Sequence, residues 1–320
     1  MTVRIKGTGS CLPKTVITND YLAGIMETSD EWISSRTGIK ERRLVKDETT
    51  TYLSAQAAQE ALRDSGVSAE ELDLLLVATI TGDYTTPSTA CMVQAEIGAH
   101  NAVAFDIQGA CAGFMFALHT AYAYMQSGIY KKVLVVGAET LSKIMDWQDR
   151  STCVLFGDGA GAIVLECSES GILAFDQGSD GARGKVLTCL GRGKHNPLVD
   201  ESQEIGYVQM DGQEVYKFAV STVPASIQKV LGQAQVTPEE IDYYLLHQAN
   251  LRILQAVAKR LKVSEDKFPI CLDHCGNMSA ASVPVLLDEV NKKGLLKRGQ
   301  KLILSGFGAG LTWGTALLEW

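Results

Sequence analysis

The chain opens on alternation. Met1-Thr2-Val3-Arg4-Ile5-Lys6-Gly7 places an apolar residue at every second position, the period of a strand with one buried face. From Tyr52 to Ser65 the period changes. Leu53, Ala57, Ala61 and Leu62 recur at helical spacing and predict an amphipathic helix. Leu74–Ala78 is a short unbroken apolar run, as in a strand covered on both faces. A second apolar segment, Ala102–Ile107, leads into Gly109-Ala110-Cys111-Ala112-Gly113 and then into the helix-length stretch Phe114–Tyr122.

The pattern occurs twice. Val67-Ser68-Ala69-Glu70-Glu71-Leu72-Asp73 matches Val236-Thr237-Pro238-Glu239-Glu240-Ile241-Asp242, and Lys132-Val133-Leu134-Val135-Val136-Gly137 matches Lys301-Leu302-Ile303-Leu304-Ser305-Gly306, both displaced by 169 residues. Two matches in one register predict an internal duplication of α/β halves, residues 1–168 and 169–320. Within each half, helix, turn, strand, helix and strand follow one another. The same displacement predicts a helix near Ala280 as counterpart of the one after Cys111, preceded by the turn Cys275–Ser279. Ala138–Phe156 has no counterpart and is expected as an insertion over the site. The Gly-rich stretch Gly178–Gly193 is expected as a mobile surface loop.

Composition narrows the class. The chain has 320 residues, 46% hydrophobic and 21% charged, as in a globular protein. No apolar run is long enough for a membrane span, and the N-terminus lacks a signal peptide's apolar region. Eight cysteines without a CxxC pair argue against a disulfide framework and for a reducing cytoplasm. Cys271, His274 and Cys275 lack further ligands at metal spacing, so no metal site is expected. A net charge of −8 argues against nucleic acid as a partner.

Three polar side chains stand where this architecture builds sites. Cys111 sits among small residues at a helix start, where the dipole favours a thiolate. His247 closes the apolar run Tyr243–Leu246, at a strand C-terminus. Asn277 lies in the turn that the duplication places opposite Cys111. Each alone has a plainer explanation: free cysteine is commonly core filler, and an Asn before a helix is commonly a cap. Their convergence on one centre favours nucleophilic catalysis.

Gly109–Gly113 resembles the nucleophile motif of the β-ketoacyl-acyl carrier protein synthase III family, in the thiolase superfamily. His247-Gln248-Ala249-Asn250 and Gly276-Asn277-Met278-Ser279-Ala280-Ala281-Ser282 resemble two more of its motifs, as do Gly157–Ala162 and Gly306–Gly314. The resemblance runs from Thr28-Ser29-Asp30-Glu31-Trp32-Ile33 onward. It implies a thiolase-like α/β fold in five layers, α-β-α-β-α, and a homodimer. It implies no resident cofactor: acyl-CoA is a substrate that acylates Cys111, and malonyl-acyl carrier protein then condenses with loss of carbon dioxide. His247 and Asn277 would hold the enolate oxygen, and the backbone N–H groups of Cys111 and Ala309 would form an oxyanion hole. Thr28, Trp32, Arg36, Arg150 and Asn250 would contact CoA.

Arg252 and Lys259 share a face of the helix after His247; with Arg260 and Lys217 they form a cationic patch suited to an acidic carrier protein. Thr86, at the acyl pocket, stands where many relatives carry a bulky Phe, so a primer longer than acetyl, or branched, is expected. Absences separate relatives. Gly306-Phe307-Gly308-Ala309-Gly310 lacks the second cysteine of biosynthetic thiolases. The strand end Val77-Ala78-Thr79 lacks the glutamate base of hydroxymethylglutaryl-CoA synthases. A secondary-metabolism condensing enzyme and a catalytically silent CoA-binding protein of the same fold are the alternatives.

Overall fold

The computed structural model describes residues 1–191, 193–194, 196–199 and 206–320. Two sheets carry the architecture. The first has the order Thr2–Cys11, Asp158–Ser168, Lys132–Thr140, Leu74–Ala78, Val103–Ile107. The second has the order Ile172–Ser179, Thr312–Glu319, Lys301–Gly308, Tyr243–Leu246. Strand directions match position by position: two antiparallel pairings, then a parallel one. The second sheet has no described counterpart of Val103–Ile107, so the duplication is incomplete at that edge.

Alternate strand residues face opposite layers. Leu74, Leu76, Val133 and Val135 join the central core with Leu302 and Leu304 of the other sheet. Leu75, Val77, Leu134 and Val136 face an outer layer of Thr50–Ser65 and Thr89–Ile97. Tyr244, Leu246 and Ile303 face the opposite outer layer, Gly212–Ala234 and Leu251–Leu261. Between the sheets lie Gly113–Gln126 and Ser282–Lys292, which start 169 residues apart. The result is five layers, α-β-α-β-α, and strands buried on both faces explain the unbroken apolar runs.

Each central helix follows a 3-10 turn, Ala110–Ala112 or Ser279–Ala281, whose first residue has φ of 45° in both halves. The two turns pack against the opposite sheets. A Cβ on Gly306 would meet the Cys111 carbonyl oxygen at 2.9 Å, and one on Gly137 would meet that of Ala280 at 2.3 Å. Both positions need glycine because backbone lies on backbone.

The two expected insertions differ in detail. Ala138–Thr140 continues the strand from Lys132, and Leu141–Ile144 is a 3-10 turn. Gly178–Gly193 is not a loop throughout. It ends the strand Ile172–Ser179, forms a 3-10 segment, Gly181–Val186, and pairs Leu187–Thr188 with Gln209–Met210; residue 192 lies outside the described residues.

Candidate active site

Cys111, His247 and Asn277 line one cavity of about 470 Å³. Cys111 enters from the turn that starts the helix Gly113–Gln126. His247 follows the strand Tyr243–Leu246 and is anchored by its own N–H donating to the Ser305 carbonyl oxygen (2.7 Å). Asn277 bridges to Phe156: its N–H donates to the Leu155 carbonyl, and the Gly157 N–H donates to its carbonyl. The insertion over the site therefore holds Asn277 by its backbone.

Burial sets the protonation states. Cys111 is 8% exposed, and desolvation pushes its thiol up to about 12 despite the neighbouring Ser279 hydroxyl. Burial therefore opposes the thiolate that the helix start favours. His247 is pushed down to about 3 by the same cause, so its imidazole is neutral. Its ring stands edge-on to Phe307 at 5.2 Å, and its buried Nδ1 has no partner among the described residues.

Close approach to the sulfur is reserved for backbone. A Cβ on Gly308 would come within 3.0 Å of the Cys111 Sγ. Ala309, next in the chain, lines a smaller pocket of about 60 Å³ that also reaches Cys111, with Ile80, Leu141, Phe156, Leu187 and Val208.

Arg36, Asn250 and Arg252 also line the large cavity. Asn250 caps the helix Leu251–Leu261, accepting from the Arg252 N–H (2.9 Å) and donating to the Arg36 carbonyl (3.1 Å). Trp32 lies on the same helix as Arg36, Asp30–Thr37, with the Arg36 and Arg150 guanidinium groups 4.7 Å and 5.3 Å from its ring centroid. The buried Thr28 hydroxyl has no partner among the described residues. Lys259 and Arg260 are exposed, and among the described residues neither they nor Arg252 form an ion pair; Lys217 pairs with Glu214 at 2.8 Å. Thr86 is exposed and lines none of the cavities that reach Cys111.

Sequence reasoning did not single out one buried acid near the site. Glu139, at the end of the strand Lys132–Thr140, is fully buried, and Ser279 donates to it at 3.2 Å. The strand ending at Ala78 indeed carries no acid, but the strand beside it brings this carboxyl to the same edge. Pairing of the two strands is what places it, and a single strand's sequence does not show that.

Cys111, His247 and Asn277 around one cavity, on a duplicated five-layer frame, fit an acyl-transferring condensing enzyme of the thiolase fold. Residues 105–181 match the family profile of 3-oxoacyl-[acyl-carrier-protein] synthase III, and residues 231–320 match its C-terminal profile. The chain is 51% identical to the β-ketoacyl-[acyl-carrier-protein] synthase III of Clostridium acetobutylicum over 320 residues, 99% of this chain and 98% of that one. The crystal structure of 3-oxoacyl-[acyl-carrier-protein] synthase III from Aquifex aeolicus superposes with a TM-score of 0.93 at 47% identity, covering 99% and 100% of the two chains. A priming β-ketosynthase of a polyketide pathway gives 0.92 at 35% identity, covering 99% and 96%. The chain belongs to the β-ketoacyl-acyl carrier protein synthase III family.

Proposed function

We propose that Cys111 takes an acyl group from acyl-CoA and that His247 and Asn277 then guide a decarboxylative condensation with malonyl-acyl carrier protein. The chain is an acyltransferase, the initiating condensing enzyme of fatty acid synthesis. The observation that carries the residue roles is the single cavity shared by Cys111, His247 and Asn277. Exchange of one thioester for another is nearly isoenergetic, so a sulfur nucleophile suits reversible loading. Loss of carbon dioxide from the malonyl group leaves an enolate, and a neutral His247 with the Asn277 amide offers it two donors. The enolate carbon attacks the acyl-Cys111 carbonyl, and backbone N–H groups of Cys111 and Ala309 hold the oxyanion. No step calls for a metal or resident cofactor.

The surroundings support further assignments. CoA enters past Arg36, Asn250 and Arg252, with Trp32 and Arg150 on its adenine and Thr28 supplying a free hydroxyl. The acidic carrier protein docks on Arg252, Lys259 and Arg260. The halves divide near residue 168, between the strands Asp158–Ser168 and Ile172–Ser179. Among the described residues Val103–Ile107 is an unpaired sheet edge with Val103 49% exposed, which suits pairing with a second copy in a homodimer. Among the described residues no helix is long and apolar enough to cross a membrane, in keeping with a cytoplasmic enzyme.

Mass spectrometry of the protein after brief exposure to acyl-CoA tests the assignment. An acyl group on Cys111, absent in Cys111→Ala, is the expected result; condensation by Cys111→Ala would overturn it.

A further inference from the structure

Asn277 is held through both of its backbone groups, by Leu155 and Gly157. What holds that segment in turn is Arg42. The Val154 carbonyl, one residue before Leu155, accepts from Arg42 Nη2 at 2.8 Å. The same nitrogen donates to the Asn19 side-chain oxygen (2.8 Å), and Nη1 donates to the Ile17 carbonyl (3.1 Å). Arg42 stands on the short strand Glu41–Leu44, which pairs with Thr15–Thr18. Its stem packs against the same turn. A Cβ on Gly276, the residue before Asn277, would come within 3.1 Å of the Arg42 Cβ, and one on Gly157 within 3.3 Å.

This cation is buried at a cost. Arg42 is fully buried, its three acceptors are uncharged, and its Nε has no partner among the described residues. Burial pushes its pKa down to about 10, so it stays charged at neutral pH. A side chain that only filled this space would serve as well without the charge. What arginine adds is a rigid planar fork, and here the fork ties three segments together. They are the strand Thr15–Thr18, the start of the helix Asn19–Ala23, and the insertion over the site.

We propose that Arg42 is a positioning residue for the malonyl step: its guanidinium fixes the Val154 carbonyl, and Leu155–Gly157 then sets Asn277 through its backbone. This role rests on Asn277 holding the enolate oxygen. The contacts are continuous. Arg42 holds Val154, the Leu155 carbonyl accepts from the Asn277 N–H at 2.8 Å, and the Gly157 N–H donates to the Asn277 carbonyl at 3.0 Å. Cys111 enters from a different turn, Ala110–Ala112, and no hydrogen bond of Arg42 reaches that turn. Loosening Arg42 therefore acts on decarboxylation before it acts on acyl loading.

The test uses the full-length wild type, Arg42→Met, Arg42→Lys, Asn277→Ala, and Arg42→Met combined with Asn277→Ala. Two rates are read: carbon dioxide release from malonyl-acyl carrier protein, and Cys111 acylation at saturating acetyl-CoA. Arg42→Met removes the buried charge at similar length, and Arg42→Lys keeps the charge without the fork. Both should slow carbon dioxide release by about 10- to 100-fold, the cost of a small misplacement, with acylation near the wild-type rate. The combined variant should be no slower than Asn277→Ala alone. Wild-type carbon dioxide release in both Arg42 variants, equal losses in the two rates, or losses that multiply with Asn277→Ala would each overturn the proposal. If Arg42→Met does not fold, Arg42→Lys carries the comparison; failure of both to fold marks a purely structural residue and overturns it too. If Asn277→Ala itself releases carbon dioxide at the wild-type rate, the Asn277 assignment fails instead.

Discussion

The backbone N–H of Ser279 donates to the side-chain oxygen of Asn277 at 2.9 Å. That bond fixes which way the amide points. With its oxygen committed to the turn, Asn277 presents its NH₂ group to the cavity it shares with His247. Asn277→Asp keeps the acceptor and removes the donor. Its rate of malonyl decarboxylation should fall by about 10²–10³-fold. Release of carbon dioxide from malonyl-acyl carrier protein measures this directly. A loss below about tenfold would remove Asn277 from the enolate site.

The neutral state of His247 has a pH signature. Burial holds its pKa near 3, far below the ordinary 6.5. The donor form therefore persists throughout the mildly acid range. The decarboxylation rate should show no inflection near 6.5. Stability carries the opposite mark. A histidine whose folded pKa is depressed takes up a proton in the unfolded chain first, so stability falls as pH drops from about 6.5 toward 3. His247→Asn should lessen that part of the acid destabilisation, as read by denaturant melts at several pH values.

Carrier-protein docking separates the cations by their partners. Lys259 and Arg260 lie exposed on Leu251–Leu261 without an ion pair among the described residues, whereas Lys217 is neutralised by Glu214 one turn away. Lys259→Glu and Arg260→Glu should each raise KM for malonyl-acyl carrier protein by about tenfold at low salt, with the effect fading as salt is added. Lys217→Glu should do less. Equal effects from all three would argue for long-range attraction rather than docking on this helix.

How far the sequence alone reaches depends on whether a residue acts within its own register or across the sheet. The displacement of 169 residues predicted a helix near Ala280, and a 3-10 turn at Ser279–Ala281 leads into one at Ser282. The convergence of Cys111, His247 and Asn277 on one cavity was legible because each closes a recognisable local pattern. Glu139 was not. In sequence it is one acid at the end of an apolar strand, and only pairing of Leu74–Ala78 with Lys132–Thr140 brings it to Thr79, Thr81 and Ser279. The protonation state of Cys111 was equally hidden. Helix position favours a thiolate, and burial, which sequence does not display, opposes it.

Primer choice follows from the small pocket beside Cys111. Ile80, Leu141, Phe156, Leu187 and Val208 make its lining apolar, and its volume of about 60 Å³ suits a short acyl chain. Beyond it, a cleft of about 820 Å³ shares Ile80, Ala110, Leu187 and Ala309 and reaches Thr85, but not Thr86. Acetyl- and isobutyryl-CoA should both load Cys111, and octanoyl-CoA should load more slowly, since each methylene in such a pocket discriminates by about 10–200-fold. Leu141→Ala should shift the preference toward longer chains. Thr86 reaches the acyl group only if a second copy of the chain brings it there. Thr86→Phe then acts as a reporter: loss of isobutyryl loading with acetyl retained places Thr86 at the pocket of the assembled dimer. An unchanged primer series would remove it from the acyl site, and a strict acetyl preference in the wild type would reject the wider pocket altogether.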